Sequence, residues 1–411
     1  MKCLPRAFAC ALLALAPLAA QEELDPPSAY VLGDGVRASL GEVEARLRLR
    51  LHADLVDPQL DDVGQAFGAS LDDTRDVRRS RALLDVRGAR GSSLRPLRLR
   101  AQVDFSDLEV RWLDLYARYD GLLDGGAITS SDLRAGEFRE PFGLEAMTSV
   151  SHLPFIERST ASNTFTPGRS RGAQVSLRTD HGLLQVGAFR RADGRPFPDE
   201  LLAERALTAR ALWQGDGEGL LQAGGSVSLR DPGGDLLIFR GSTGSRLLER
   251  LVDTGPIQAE RAVTGGAEAL LRRGPWTAQA EAFGLWIEDA GGAGDEAFLS
   301  GGYASVSRFL GSGSTRWKRD RGALGAPDVA GTLLPGGGGL NAMEAVARLS
   351  WTDLADGQVQ AGEVLDLEAG LNVYLSPTTR VMLHWIGVSA ETAAGERANG
   401  WAVLGRLQLQ L

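Results

Sequence analysis

The sequence contains few of the residues from which enzymes build active sites and metal centres. Its only cysteines, Cys3 and Cys10, lie within the first ten residues, and no Cys/His cluster occurs. A glycine-rich phosphate-binding loop is also missing. Histidine is limited to four positions, none of them in a nucleophile or metal-ligand motif: His52, His152, His181 and His384. These absences predict a protein without catalytic activity, metal or cofactor.

Long apolar runs are absent beyond the first twenty residues, which excludes a membrane-spanning helix of about 20 residues in the rest of the chain. The N-terminus itself has the pattern of a secretory signal peptide, residues 1–20. It combines positive charge at Lys2 and Arg6 with an apolar stretch and small residues at Ala19 and Ala20, after which cleavage is expected. Both cysteines would leave with this peptide, so the exported chain would contain no disulfide.

Lysine is almost missing, because Lys2 and Lys318 are the only lysines and the other 42 of the 44 basic residues are arginines. The net charge of −9 at pH 7 nevertheless excludes a general nucleic-acid binder. A GC-rich genome would by itself favour arginine over lysine. The positions of the arginines along the chain are therefore more informative than their number.

What the sequence does contain is a strict alternation of apolar and polar residues. Over residues 45–55 the odd positions are alanine or leucine, and the even positions are charged or imidazole-bearing: Arg46, Arg48, Arg50, His52 and Asp54. The same period of two recurs at 97–105, at 364–375 and in the last segment, 400–411. Such alternation predicts strands with one face towards lipid and the other towards water.

The whole chain divides into sixteen predicted strands after a polar lead-in, residues 21–42, that shows no periodicity. An even number of strands and a strand at the C-terminus are expected of an all-β, transmembrane antiparallel β-barrel with a water-filled channel, here residues 43–411. The predicted strands are 45–55, 77–87, 94–105, 109–119, 132–138, 171–178, 183–190, 205–213, 220–229, 263–271, 276–287, 297–309, 342–351, 364–375, 379–388 and 400–411.

Three connections are long and without periodicity, residues 139–170, 230–262 and 310–341, which is typical of functional loops. Aromatic residues near strand ends could form girdles at the lipid headgroups, although each could equally be an ordinary packing residue. These are Tyr119, Trp213, Trp276, Trp351 and Trp401.

Several segments, in order along nearly the whole exported chain, resemble the phosphate-selective porin O and P family. The most specific is GEFREPFGLE at 136–145, followed by FIERS at 155–159. The others are DVRRSRA at 76–82, VDTG at 252–255, the stretch from Gly302 to Leu310, and GLNVYLSP at 370–377. The chain departs from the family in having almost no lysine and in ending on Leu411 rather than on an aromatic residue.

The resemblance implies a sixteen-stranded barrel that forms a homotrimer, with long loops folded inward and basic residues that conduct anions through the constriction. The resemblance implies that Arg50 is a pore arginine of the first strand, and that Arg78 and Arg79 are an arginine pair of the second strand. It also implies that Asp114 is an acid near the site, that Arg134 is a basic position of the fifth strand, and that Arg158 is an arginine of the inward-folded third loop.

The chemistry of arginine supports a pore lining. Arginine offers a planar fork of N–H donors that fits phosphate oxygens, and a series of such side chains can select anions. Strict alternation places Arg79 inward but Arg78 outward, and either a bulge or a position above the lipid band would reconcile Arg78 with the family pattern. The predicted anion-binding or pore-lining residues are Arg46, Arg48, Arg50, Arg78, Arg79, Arg98, Arg100, Asp114, Arg134 and Arg158. Basic residues of the long connections are further candidates: Arg246, Arg250, Arg316, Lys318, Arg319 and Arg321.

The sequence therefore predicts a channel in the bacterial outer membrane, surrounded by outer-membrane lipid, for passive diffusion of small anions such as phosphate or polyphosphate. Two alternatives stay open. A general, weakly selective porin would have the same barrel and loops and would differ only in the chemistry of its constriction. The lumenal arginines would then be merely solvated or paired with acids: Asp54, Asp85, Asp104 and Asp114. A structural outer-membrane barrel would instead have a plugged lumen.

Overall fold

The computed structural model of the chain describes residues 30–31, 35–59, 75–106, 110–190, 205–215, 219–233, 236–245, 248, 250–291, 294–311, 313–329, 343–392 and 394–411. The signal peptide expected at 1–20 lies outside the described residues and stays a prediction. Of the lead-in, residues 21–42, only 30–31 and 35–42 are described. Among the described residues, no helix has the length and apolar character needed to span a membrane.

Sixteen long antiparallel strands form a closed β-barrel. Each pairs with the next, and the last pairs with the first, so that Gln410 lies opposite Arg50. Closure removes the exposed edges of the sheet. With all strands numbered in chain order, the barrel strands are β3 (Val43–Gln59), β4 (Arg75–Gly88), β5 (Leu97–Asp104), β6 (Arg111–Asp120), β7 (Ser130–Arg139), β8 (Arg169–Arg178), β9 (Gly182–Arg190), β10 (Arg205–Gln214), β11 (Leu220–Asp231), β16 (Arg261–Arg273), β17 (Trp276–Glu288), β18 (Ala297–Phe309), β21 (Met343–Asp356), β22 (Val359–Ser376), β23 (Thr379–Glu391) and β24 (Arg397–Gln410).

All sixteen predicted strands occur, so the prediction of an even-stranded, closed antiparallel barrel is confirmed. The predicted strand ends are less accurate. β22 begins at Val359 rather than at 364, and β21 ends at Asp356 rather than at 351. The backbone ladder continues beyond the apolar band, where side chains are no longer sorted between lipid and water. Alternation therefore underestimates the length of these strands.

Part of the lead-in is β-structure, contrary to its lack of periodicity. β2 (Gly35–Leu40) pairs with the start of β3, and β1 (Tyr30–Val31) pairs with β2. The last strand, β24, extends along β3 only as far as Arg50, and β2 occupies the edge of β3 below that point. Backbone hydrogen bonding along this edge, rather than a side-chain pattern, determines the short strand.

Successive connections alternate between the two ends of the barrel because neighbouring strands are antiparallel. We call the end at which β3 begins and β24 ends the turn end, and the opposite end the loop end. The long connections at 139–170 and 230–262 lie at the loop end, whereas the one at 310–341 lies at the turn end. Bacterial barrels have their longer loops outside the cell, so the loop end corresponds to the exterior.

Three segments of these connections fold into the barrel. The first inward loop, residues 140–168, contains the short helices α1 (Leu144–Met147) and α2 (Thr160–Phe165). The turn-end hairpin, residues 313–329, consists of β19 (Ser314–Lys318) and β20 (Ala323–Asp328). The second inward loop, described at residues 232–233, 236–245, 248 and 250–260, contains β12 (Leu236–Leu237), β13 (Arg240–Ser242), β14 (Arg250–Asp253) and β15 (Ile257–Gln258).

The inserted segments divide the lumen into two unlike halves. In the filled half, beside β16–β18 and β21–β24, inward apolar side chains of the wall form one buried cluster with both inward loops. Phe283 of the wall stacks on Phe142 and Phe165 of the first inward loop, with ring centroids 6.3 and 6.0 Å apart. The inner faces of these strands therefore differ from the water-facing surface that alternation predicts. The arginine half, beside β3–β7, stays open.

Candidate functional site

The arginine half contains a cavity of about 1340 Å³, bounded mainly by β3–β7, the first inward loop and the turn-end hairpin. Its charge is opposite to that of the chain as a whole. Among the described residues, nineteen arginines and Lys318 line it against seven carboxylates, whereas the chain carries a net charge of −9. The acids are Glu44, Asp85, Asp104, Asp114, Glu157, Asp253 and Asp320.

All ten predicted site residues line this cavity, although their part in anion binding remains a prediction. Alternation explains the inner face of β3, where the even residues from Arg46 to Asp54 point inward. Arg78 reaches the cavity through a register shift, because three steps of β4, from Arg79 to Asp76, lie opposite two steps of β3. The bulge that would turn Arg78 inward is therefore present.

Arg78 and Arg79 hold the first inward loop against the wall. The Arg79 guanidinium donates to both carboxylate oxygens of Glu157 at 2.8 and 2.7 Å, and Arg78 donates from Nε at 3.1 Å. Arg406 donates to the same carboxylate at 2.7 Å. Burial by itself raises the pKa of the Glu157 carboxyl, but the three arginine charges outweigh burial and hold the pKa well below its ordinary value. Glu157 therefore remains ionised and fastens the loop.

Arg158 organises the loop in which it lies. Its guanidinium donates to the main-chain oxygens of Glu145, Ala146 and Thr148 at 3.0, 3.2 and 3.0 Å. The residue lines the cavity but is only 9% exposed. These bonds join two parts of the first inward loop, so the principal role of Arg158 in the structure is to brace the loop.

Arg48 and Arg100 share a single carboxylate. Both donate to Asp85, Arg100 from Nε at 2.5 Å, and Arg46 lies directly opposite Asp85 in the register of β3 and β4. One acid therefore compensates only part of the positive charge of this pair. At this point of the wall two arginines share one acid.

Arg98 and Asp114 take part in ion pairs. Arg98 donates from Nε to Asp120 at 2.5 Å, and its side chain is 50% exposed. Asp114 accepts a hydrogen bond from Arg169 Nε at 2.8 Å. Arg169 is itself a cavity-lining residue, so Asp114 orients a cation of the lining.

Arg134 lies between aromatic rings. Its guanidinium carbon is 4.9 Å from the ring centroid of Tyr116 and 5.1 Å from that of Phe138. Cation–π attraction of this kind orients the guanidinium without removing its positive charge. Arg134 therefore contributes charge to the fifth barrel strand, in agreement with its predicted position there.

Arg50 has a different environment from the ion-paired arginines. Its Nη1 donates to the hydroxyl of Ser149 in the first inward loop at 3.2 Å, and it forms no salt bridge within the described part of the chain. Lys318 and Arg321 of the turn-end hairpin line the same cavity. Burial and the nearby charge of Arg321 lower the pKa of Lys318 to about 8, and Arg48 and Arg50 act in the same direction. Lys318 is therefore mostly protonated at neutral pH.

Two wall arginines hold the turn-end hairpin inside the barrel. Arg210 donates to the main-chain oxygens of Arg321 and Gly322 at 3.0 and 2.8 Å. Arg178 donates from Nε to the main-chain oxygen of Asp320 at 2.8 Å. The tip of the hairpin is thus attached to the wall by its backbone, which leaves the side chains of Lys318 and Arg321 at the cavity surface.

Of the further candidates in the long connections, Lys318 and Arg321 line the cavity. Arg316 instead forms an exposed salt bridge at 2.8 Å within the hairpin, and Arg319 donates to a main-chain oxygen of the turn between β8 and β9. Outside the described side chains lie Arg246 and Arg250.

Sequence reasoning missed some of the lining residues. Arg139 and Arg169 flank the first inward loop, at the end of β7 and the start of β8. There the chain leaves the sheet, and alternation no longer predicts the direction of a side chain. The family-like segment at 136–145 was the available signal, since Arg139 lies within it.

A closed sixteen-stranded barrel with an open, positively charged lumen defines an outer-membrane porin. The chain belongs to the phosphate-selective porin O and P family, whose model matches residues 46–411. No curated protein matches it in sequence.

Solved structures share the barrel at low identity. OmpT of Vibrio cholerae is 10% identical with a TM-score of 0.54, covering 91% of this chain and 100% of its own. The channel DcaP of Acinetobacter baumannii is 12% identical with a TM-score of 0.52, covering 93% and 100%. An anion-selective porin from Comamonas acidovorans is 11% identical with a TM-score of 0.53, covering 90% and 100%. At these identities the similarity shows the fold.

Proposed function

We propose that this porin passes small oxyanions by passive diffusion, with inorganic phosphate as the preferred solute. The observation that carries the proposal is the lining of one cavity by nineteen arginines and a lysine against seven carboxylates. Such a surface replaces the hydration of an entering anion with N–H donors, and it repels cations.

We assign the solute-binding step to Arg50, Lys318 and Arg321. Arg79 and Arg158 are committed to Glu157 and to loop carbonyls, so a passing anion would have to displace internal partners. Arg50 donates instead to a neutral hydroxyl, at 3.2 Å, which a phosphate oxygen can replace at lower cost. Other cavity arginines would supply further weak sites, as conduction requires.

The wider proposal concerns assembly and export. The family is described as phosphate-selective, the Comamonas acidovorans porin as anion-selective, and Vibrio cholerae OmpT is known in a trimer form. These descriptions support anion selectivity and a homotrimer for this chain. Residues 1–20 would direct its export, and the proposal includes no catalytic step.

The test is single-channel recording of the refolded protein in planar bilayers, with reversal potentials in a salt gradient and phosphate titrated against chloride current. We expect anion selectivity and block by phosphate. Arg50→Gln and Lys318→Gln should each weaken the block by about tenfold, the loss of one charge-assisted contact. Arg316→Gln removes a charge of the same hairpin outside the cavity and should leave the block unchanged.

The alternatives give different currents. An unselective, ohmic current that phosphate does not affect would show a general porin. A stronger block by polyphosphate than by phosphate would show that polyphosphate is the preferred solute of an anion channel. If phosphate blocks the wild type and neither Arg50→Gln nor Lys318→Gln weakens the block, other arginines of the cavity bind the solute.

A further inference from the structure

The imidazole of His152 contains a buried nitrogen without a hydrogen-bond partner. His152 lies in the first inward loop and lines the cavity of the arginine half, although the residue is only 8% exposed. Its Nδ1 is buried and has no partner within the described part of the chain. Buried polar groups in proteins are nearly always hydrogen-bonded, so an unpartnered one at a solute cavity indicates a group that a solute can engage.

The backbone on both sides of His152 is attached to the barrel wall. Gln408 donates to the main-chain oxygen of Ser151 at 3.1 Å. Arg380 donates to the main-chain oxygen of Leu153 at 2.9 Å. Because these bonds fix the backbone, a solute that binds the imidazole does not have to order the loop first, which lowers the entropic cost of binding.

The turn that contains His152 lies beside the cations to which we assign solute binding. The main-chain N–H of His152 donates to the main-chain oxygen of Ser149 at 2.7 Å, and Arg50 donates to the Ser149 hydroxyl at 3.2 Å. The turn-end hairpin contacts the same part of the loop, where the main-chain N–H of Leu324 donates to the Thr148 hydroxyl at 3.3 Å. The wall, the first inward loop and the hairpin therefore meet at this side of the cavity.

The imidazole differs in charge from the basic residues around it. Burial lowers the pKa of His152 well below its ordinary value, and nearby cations act in the same direction. These cations are Lys318, Arg50, Arg380 and Arg321. The imidazole is therefore neutral at pH 7, with one nitrogen that donates a hydrogen bond and one that accepts. It can bind a solute without adding to the charge of the cavity.

A neutral hydrogen-bonding group distinguishes phosphate from chloride, which positive charge alone attracts as well. Hydrogen phosphate has several oxygens that accept hydrogen bonds and an O–H group that donates one. A neutral imidazole can therefore bond to it in either tautomer. Chloride is a single sphere that only accepts. Contacts that approach from different sides thus reach separate atoms of phosphate, which favours the polyatomic anion.

We propose that His152 binds phosphate as an uncharged ligand beside Arg50 and Lys318, and that it determines the preference for phosphate over chloride. The inference rests on the proposed function and adds a residue to its binding step. The three residues belong to the first inward loop, the wall and the turn-end hairpin, and all line the same cavity. No hydrogen bond of Nδ1 within the described residues opposes rotation of the ring, which can turn a nitrogen towards the solute.

The test is planar-bilayer recording of the refolded full chain, in which phosphate block and the reversal potential in a chloride gradient are measured for each variant. His152→Phe keeps a ring and removes both nitrogens. Phosphate block should weaken about tenfold, the loss of one hydrogen bond to an anion, while the reversal potential stays unchanged. His152→Gln keeps a donor and an acceptor and should retain most of the block. His181→Phe changes a histidine of the turn between β8 and β9, which does not line the cavity, and should behave as the wild type.

Three results would overturn the inference and leave the anion channel standing. They are an unchanged phosphate block in His152→Phe, an equal loss of block in His152→Gln, and a reversal potential that shifts together with the block. The last result would show that His152 acts through charge or loop structure. Absence of phosphate block in the wild type would instead overturn the proposed function together with this inference. Folding is checked by heat-dependent gel mobility, and His152→Ala replaces His152→Phe if that variant does not fold.

Discussion

The two halves of the lumen are lined by strands with the same alternation of residues, yet one half is open and positively charged and the other is filled by protein. On β3 the inward residues Arg48 and Arg50 face an open cavity. On β23 the inward residues Ile386 and Val388 are buried against the inserted loops. The difference lies in what covers each wall. Alternation determines the direction of a side chain, whereas the inserted segments determine whether that side chain meets solute or protein.

The largest effect is expected from the filled half, where charges are buried. Arg348, which is fully buried, donates to Glu145 at 2.9 Å and to Glu368 at 2.5 Å. Arg348→Ala leaves both acids without this partner and should reduce the free energy of unfolding by about 3–5 kcal/mol. Denaturant unfolding measures the change. The exposed pair of Arg397 with Glu391 provides the control, since Arg397→Ala should leave stability unchanged.

A somewhat smaller loss is expected where the arginine half holds the first inward loop. Arg79→Ala removes the bidentate contact with Glu157, while Arg78 and Arg406 remain. Stability should fall by about 3 kcal/mol, the lower end for a broken buried pair. Arg79→Lys should restore part of it. If Arg79→Ala instead abolished phosphate block at unchanged stability, Arg79 would be a solute-binding residue and not an anchor.

The pH dependence of the channel should report on Lys318. Its pKa of about 8 means that the side chain is charged below this value and neutral above it. Anion selectivity should therefore decrease as the pH rises through 8, to the level of Lys318→Gln. In Lys318→Arg the decrease should be absent, because arginine stays charged. Reversal potentials measured across this pH range provide the comparison. An identical decrease of anion selectivity in Lys318→Gln and Lys318→Arg would show that another group causes the pH dependence.

The smallest effect is expected at the exposed edge of the cavity. Arg98 pairs with Asp120 and its side chain is 50% exposed. Arg98→Gln should change stability by about 0–1 kcal/mol, as for other exposed pairs, and reduce anion selectivity only slightly. A reduction as large as that of Arg50→Gln would place the constriction nearer the turn end of the barrel.

Much of the barrel was predictable from local patterns. The alternation at 45–55 identified the inner face of β3, and of the two explanations open for Arg78 the structure contains the bulge. The strand at 35–40 was not predictable, because edge pairing rather than a side-chain pattern forms it. The same holds for the filled half, since an inward leucine such as Leu404 is buried by loops distant in sequence.

Within regular strands, alternation predicted which residues face the lumen, because the period of a strand is a property of its own backbone. Which lumenal arginines are open to a solute depends on how the inserted loops pack against the wall. Arg79 is bound to Glu157, 78 residues away, while Arg50 donates to the hydroxyl of Ser149 in the same loop and has no salt bridge among the described residues. Ion pairs between inserted loops and the wall depend on how the loops fold, and no local pattern encodes that partnership.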